Sequence, residues 1–178
     1  RINQVRDAMF HTDHPYLMVL VGPFNAGKSS LVNALMGSDD LLKIGATPTT
    51  DSIQILRWGE EAERMESGGE VDTVFYPSPL LKKVSLVDTP GLESVFKSHE
   101  QTTRNFLHRA DVVLLVMMAT QAMTASNLET MKMFKDYGKK VIIVVNQCDL
   151  LEDSERKELE DFIRTESKSK LGTQPEIW

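Results

Sequence analysis

The stretch Tyr16-Leu-Met-Val-Leu-Val-Gly22-Pro-Phe-Asn-Ala-Gly27-Lys28-Ser29, continuing as Ser30-Leu-Val-Asn-Ala-Leu-Met36-Gly37, decides the fold. Its first six residues are an unbroken apolar run, the pattern of a parallel strand covered on both faces. The run ends at Gly22, and residues 22–29 match G-x-x-x-x-G-K-[ST] between that strand and a helical pattern over Lys28–Met36. Glycines let the backbone wrap closely around phosphate oxygens, and the loop N–H groups and helix N-terminus point positive dipoles inward. Gly22, Asn25, Ala26, Gly27, Lys28, Ser29 and Ser30 are therefore expected around a polyphosphate. Lys28 would reach the β- and γ-phosphates, and the Ser29 hydroxyl would ligate Mg²⁺.

Working outward, further apolar runs read as strands at Ser52–Trp58, Lys83–Val87, Val112–Met118 and Val141–Val145. Ser52–Trp58 alternates loosely, as an edge or half-buried strand does. Val71–Tyr76 is a weaker run expected beside it. Helical patterns fall at Ser98–Arg109, Ser126–Tyr137 and Ser154–Lys168, and residues 1–14 read as an amphipathic helix leading into a domain over 15–178. Glu60–Gly69 is acidic, ends in Gly-Gly and reads as a mobile surface loop. Another strand starts at Glu176-Ile177, so the domain is expected to be truncated. Strands alternating with helices predict a three-layer α/β fold: a mostly parallel sheet with an antiparallel edge strand and helices on both faces. Such sheets bind ligands at the carboxyl ends of their strands.

Two more motifs fall at such ends. Asp88-Thr-Pro-Gly91 closes the third strand. Asp88 there holds Mg²⁺ through water, and the Gly91 N–H bonds the γ-phosphate and lets go after hydrolysis. Asn146-Gln-Cys-Asp149 closes the fifth. An Asp carboxylate accepts two hydrogen bonds from the N1–H and N2–H₂ edge of guanine; adenine offers no such pair. Asp149 would select guanine, and Asn146 would contact the base and tie this loop to the phosphate loop. The tetrapeptide resembles the N-K-x-D motif of GTPases, with Gln147 in place of the Lys. Gln147 keeps a shorter stem to lay along the base and loses the charge.

Bulk properties agree. The 178 residues suit one domain, 41% apolar and 26% charged, with a net charge of -6. No basic block marks a nucleic-acid surface. Cys148 is the only cysteine, which excludes an internal disulfide and fits a reducing cytosol. The longest apolar run, Val112–Ala119, is far short of a membrane span.

The stretches GPFNAGKSSLVNALMG, IGATPTTDS, DTPGLES and ADVVLLVM together resemble a translation-factor-class GTPase, and more closely a dynamin-like one: bacterial dynamin-like proteins, mitofusins and the Eps15-homology-domain ATPases. The resemblance spans nearly the whole chain. It implies that a switch threonine closes over Mg²⁺ when the γ-phosphate is present: Thr50 by its P-T-T-D context, then Thr47, with Thr49 also in reach. It implies Mg-dependent GTP hydrolysis, nucleotide-dependent homodimerisation across the nucleotide face, and flanking helices that build a stalk and a membrane-binding tip. The full-length protein is then expected in the cytoplasm, peripheral to a membrane, with no nucleic-acid partner. Leu92 replaces the water-positioning Gln of Ras-type enzymes, and Phe24 replaces the polar loop residue of dynamins. Asn25 resembles the residue that holds K⁺ against the phosphates in potassium-activated GTPases. Lys28, Thr50, Asn25 and Gly91 are thus the expected catalytic set. His99, in the segment after Gly91, and the methionines are read as surface and core respectively. Two alternatives stand: a slow Era-like nucleotide switch, and an ATP-using Eps15-homology-like domain.

Overall fold

The computed structural model describes residues 14–42, 53–66, 68, 71–89 and 106–178. The expected N-terminal helix, the P-T-T segment and most of the Ser98–Arg109 helix lie outside these; residues 106–109 are helical. The described strands are β1 (Tyr16–Val21), β2 (Ile53–Trp58), β3 (Glu63–Met65), β4 (Val71–Tyr76), β5 (Val84–Asp88), β6 (Val112–Met118), β7 (Lys140–Asn146) and β8 (Glu176–Ile177). The helices are α1 (Lys28–Met36), α2 (Ala125–Asp136) and α3 (Asp153–Leu171), with 3₁₀ turns at Pro79–Lys82, Ala119–Gln121 and Cys148–Leu150.

All eight strands join one sheet in the order β3-β4-β2-β5-β1-β6-β7-β8. β5, β1, β6, β7 and β8 are mutually parallel. β2 runs antiparallel to β5 and parallel to β4, and β3 pairs antiparallel with β4. The expected three-layer α/β class is observed, with the antiparallel pairing gathered on one flank.

Two expectations are corrected there. Ser52–Trp58 was expected at an edge or half buried, yet β2 lies inside the sheet, and Ile53, Gln54, Ile55 and Leu56 are all buried. Glu60–Gly69 is not simply a loop, because Glu63–Met65 forms the edge strand. Arg64 is its anchor: the guanidinium donates to Gln54 Oε1 at 3.2 Å and to Leu41 O at 2.9 Å. A short charged strand with one inward Arg has no hydrophobic alternation to read, and it blunts the sheet edge against further pairing.

The sheet divides the core in two. One face packs Val19, Val87, Val113, Leu115 and Ile143 against Met131 and Phe134 of α2 and Ile163 of α3. The other packs Leu20, Leu56, Leu86, Leu114 and Val116 against Val32 and Met36 of α1. Phe134 and Leu115 are fully buried, each contributing about 1.5–3 kcal/mol of transfer free energy. Local chemistry ends the helices: Thr124 Oγ1 accepts from Asn127 N, Glu152 and Glu155 form a reciprocal capping box, and Gly172 closes α3. β1 sits where the chain order turns, with β5 on one side and β6 on the other. The crevice beyond its carboxyl end is the point at which open α/β sheets bind ligands.

Candidate nucleotide site

β1, β5 and β7 deliver Gly22, Asp88 and Asn146 to this one end of the sheet. The phosphate loop is shaped by two close approaches. A Cβ on Gly22 would stand 2.1 Å from the Val116 carbonyl oxygen on β6. A Cβ on Gly27 would stand 2.2 Å from Asn146 Nδ2, and Gly27 has φ +86°, a left-handed value that suits glycine. Asn25 also takes a left-handed φ of 64°, which Asn tolerates better than most residues. Its side chain is exposed and unpartnered among the described residues.

Lys28 opens α1 and is 7% exposed. Its ammonium turns back over the loop, donating to Gly22 O at 3.1 Å and Pro23 O at 3.0 Å. Burial pushes this lysine below its usual value, and the nearby Asp88 charge partly offsets that. Ser29 Oγ donates to Asp88 Oδ2 at 2.5 Å. Burial raises Asp88 above the ordinary carboxylate range, against the Ser29 hydrogen bond and the Lys28 charge. Asp88 Oδ1 is buried with no partner. A buried carboxylate oxygen without a donor is costly, and Mg²⁺ fits the setting: Ser29 and Asp88 are hard oxygen ligands, and this ion takes few protein ligands beside phosphate and water. Among the described residues no cluster of three or more His, Cys, Asp or Glu forms a rival metal site.

The base loop is held from outside itself. Asn146 Nδ2 donates to Ala26 O at 3.0 Å, while its Oδ1 accepts from Gln147 N at 2.9 Å. One side chain thus joins the two loops. Gln147 takes a left-handed φ of 61° and leads into the 3₁₀ turn that carries Asp149, whose carboxylate is exposed. Cys148 Sγ donates to Val145 O at 3.2 Å, which turns the thiol back onto β7.

Of the expected site residues, Gly22, Asn25, Ala26, Gly27, Lys28, Ser29, Ser30, Asp88, Asn146, Gln147 and Asp149 gather at this end. Thr47, Thr49, Thr50, Gly91, Leu92 and His99 lie outside the described residues. Two supporting residues escaped the sequence reading. Arg156 on α3 donates through Nε to Cys148 O at 2.9 Å, bracing the base loop. Thr89 Oγ1 donates to Leu20 O at 2.8 Å, fastening the end of β5 to β1. Arg156 has no sequence signal, since an Arg early in a charged helix reads as solvated surface; Thr89 lies within the D-T-P-G stretch, but its bond to Leu20 depends on strand order.

Residues 17–147 match the family described as 50S ribosome-binding GTPase. The chain is 34% identical over 174 residues to a probable transmembrane GTPase FZO-like, chloroplastic, of Arabidopsis thaliana, covering 94% of this chain and 19% of that protein. It is 28% identical over 179 residues to Dynamin-like protein 2 of Campylobacter jejuni, covering 86% of this chain and 29% of the relative. A solved chain of an oligomerised bacterial dynamin pair superposes with a TM-score of 0.79 at 18% identity, over 99% of this chain and 35% of that one, a shared fold. Among the described residues no helix is long and apolar enough to cross a membrane. The chain belongs to the 50S ribosome-binding GTPase family, whose members hydrolyse GTP, and within it is similar to the G domains of dynamin-like proteins.

Proposed function

We propose that this domain binds Mg²⁺·GTP between the phosphate loop and the base loop, hydrolyses it, and pairs with a second copy across that nucleotide face to drive membrane remodelling by the full-length protein. The observation that carries the reading is the joint at Asn146, which ties the loop bearing Asp149 to the phosphate loop.

The chain's own groups divide the work. The loop N–H groups and the start of α1 receive the phosphates. Lys28 exchanges its bonds to Gly22 O and Pro23 O for phosphate oxygens, which restores the charge that burial disfavours. Ser29 and Asp88 would hold Mg²⁺, Asp88 through water, with Thr50 as the switch ligand. That ion would neutralise charge spreading over the transferred phosphoryl group. Asp149 pairs with the guanine edge and Gln147 lies along the base. Asn25, left-handed and unpartnered at the loop crest, is the candidate ligand for K⁺, which would stabilise charge developing between the phosphates. Half-exposed Phe24 beside it offers an apolar contact on the face where a second copy would close. Both the FZO-like relative and the dynamin pair support the membrane reading.

Calorimetry tests the first step. GTP with Mg²⁺ should bind at least tenfold more tightly than ATP, and EDTA should weaken it. Equal affinity for the two nucleotides overturns the guanine reading. Turnover per site should rise with protein concentration and fall when NaCl or choline chloride replaces KCl. Turnover constant over a wide concentration range removes dimer activation, and equal rates in all three salts remove the K⁺ site.

A further inference from the structure

The opposite end of the sheet carries a second cleft, of about 800 Å³. That size is typical of ligand pockets. It opens at the amino ends of β1, β5 and β6, away from the phosphate loop, so the inference is independent of the nucleotide reading. Its floor is a row across four strands. Leu17 on β1 is in register with Ser85 on β5, and Arg57 on β2 with Phe75 on β4. One step beyond the Leu56–Leu86 pair, the antiparallel ladder sets Arg57 beside Ser85. Residues in register share a face of the sheet, so the four side chains line one strip, and all four line the cleft.

The chemistry of the strip is mixed. Leu17 and Phe75 are half buried, and Trp58 (39% exposed), next to Arg57 and so on the other face of β2, stands at the rim of the cleft. Arg57, Lys82 and Arg109 bring three cations to the same cleft of a chain whose net charge is -6. Among the described residues no carboxylate pairs with any of the three. The Lys82 ammonium lies 5.1 Å from the Trp58 ring centroid, held against the aromatic face. Asp111, the acidic group of the lining, is engaged: its Oδ2 accepts from Leu17 N at 2.8 Å. Ser85 is 8% exposed, lines the floor, and its hydroxyl has no partner among the described residues.

We propose that this cleft binds an organic anion: a carboxylate or phosphate head on an aromatic or branched apolar body. The body lies on Leu17 and Phe75, with Trp58 at the rim. The head meets Arg57 and Arg109, planar forks suited to such oxyanions. Ser85 supplies the hydrogen bond at the floor.

The test uses 4-tert-butylbenzoate, the neutral 4-tert-butylbenzyl alcohol and inorganic phosphate as probes on the whole chain. The Trp58 indole N–H resonance reports binding, assigned with a Trp178→Phe variant, since the chain holds two tryptophans. The benzoate should shift Trp58 saturably, and the alcohol should bind at least tenfold more weakly. Arg57→Gln and Arg109→Gln should each weaken the benzoate at least fivefold; Mg²⁺·GTP should leave its affinity unchanged. Equal affinity for acid and alcohol, insensitivity to both Arg variants, or no saturation with the benzoate overturns the site. Phosphate binding as tightly as the benzoate overturns the apolar half of the assignment.

Discussion

The phosphate loop and the base loop meet at one atom pair yet owe their shapes to different causes. The phosphate loop takes its shape from its own residues: Asn25 and Gly27 hold left-handed φ values, Gly22 lacks the Cβ that would stand 2.1 Å from Val116 O, and α1 begins immediately after Gly27. The base loop is braced from elsewhere, by Asn146 across to Ala26 and by Arg156 reaching up from α3. A loop shaped by its own glycines keeps its form when its neighbours change; a loop braced by distant side chains loses it one brace at a time.

Predictions that break this contrast run from large to small. Gly22→Ala forces a Cβ into a backbone carbonyl that no rotamer change can move. It should cost about 3 kcal/mol, read as a shift of the urea midpoint; a neutral change means the loop is less constrained than its neighbour distances imply. Asn146→Ala removes both bonds of the joint and leaves Ala26 O short of a donor. It should cost about 2 kcal/mol. Gly27→Ala crowds the same Asn146 Nδ2, so the double variant should be non-additive by about 1 kcal/mol. Strict additivity would separate the two loops.

Asp88 tests the seam electrostatically. Its raised value means that the native state holds a proton above the unfolded carboxylate's pKa. The unfolded chain then binds fewer protons, so stability of the nucleotide-free domain falls as pH rises from the ordinary carboxylate value through the raised one. Asp88→Asn should flatten that segment of the pH profile and raise Tm near neutrality, while abolishing Mg²⁺ dependence of nucleotide binding. A steeper profile in the variant would reverse the sign assigned to the burial. The smallest effect belongs to Arg156→Ala, which loosens the base loop alone. It should weaken GTP by about threefold, near 0.7 kcal/mol, with phosphate-only contacts unchanged when inorganic pyrophosphate is titrated.

Legibility followed the range of the forces involved. The strand–loop–helix unit at 16–37 was readable because its glycines, lysine and apolar run act on neighbours in the chain. Buried parallel strands such as Val112–Met118 were readable for the same reason. The Glu63–Met65 strand was not, because it exists through Arg64 reaching Gln54 and Leu41. β2 read as an edge because alternation reports burial within a segment and says nothing of the strands that flank it. The Arg156–Cys148 and Thr89–Leu20 bonds and the row Leu17–Ser85–Arg57–Phe75 were equally silent, each assembled from residues apart in sequence.

By itself, then, the sequence determined that a polyphosphate loop stands between a buried strand and a helix, and which side chains carry its chemistry. Those properties come from backbone φ, side-chain type and hydrophobic period, all local. Only the tertiary structure decided that Asn146 welds the two loops, that Asp88 keeps an unsatisfied oxygen, and that a cationic, aromatic-walled cleft opens at the far end. Those depend on strand order and register, which emerge when segments distant in the chain bury their apolar faces against each other.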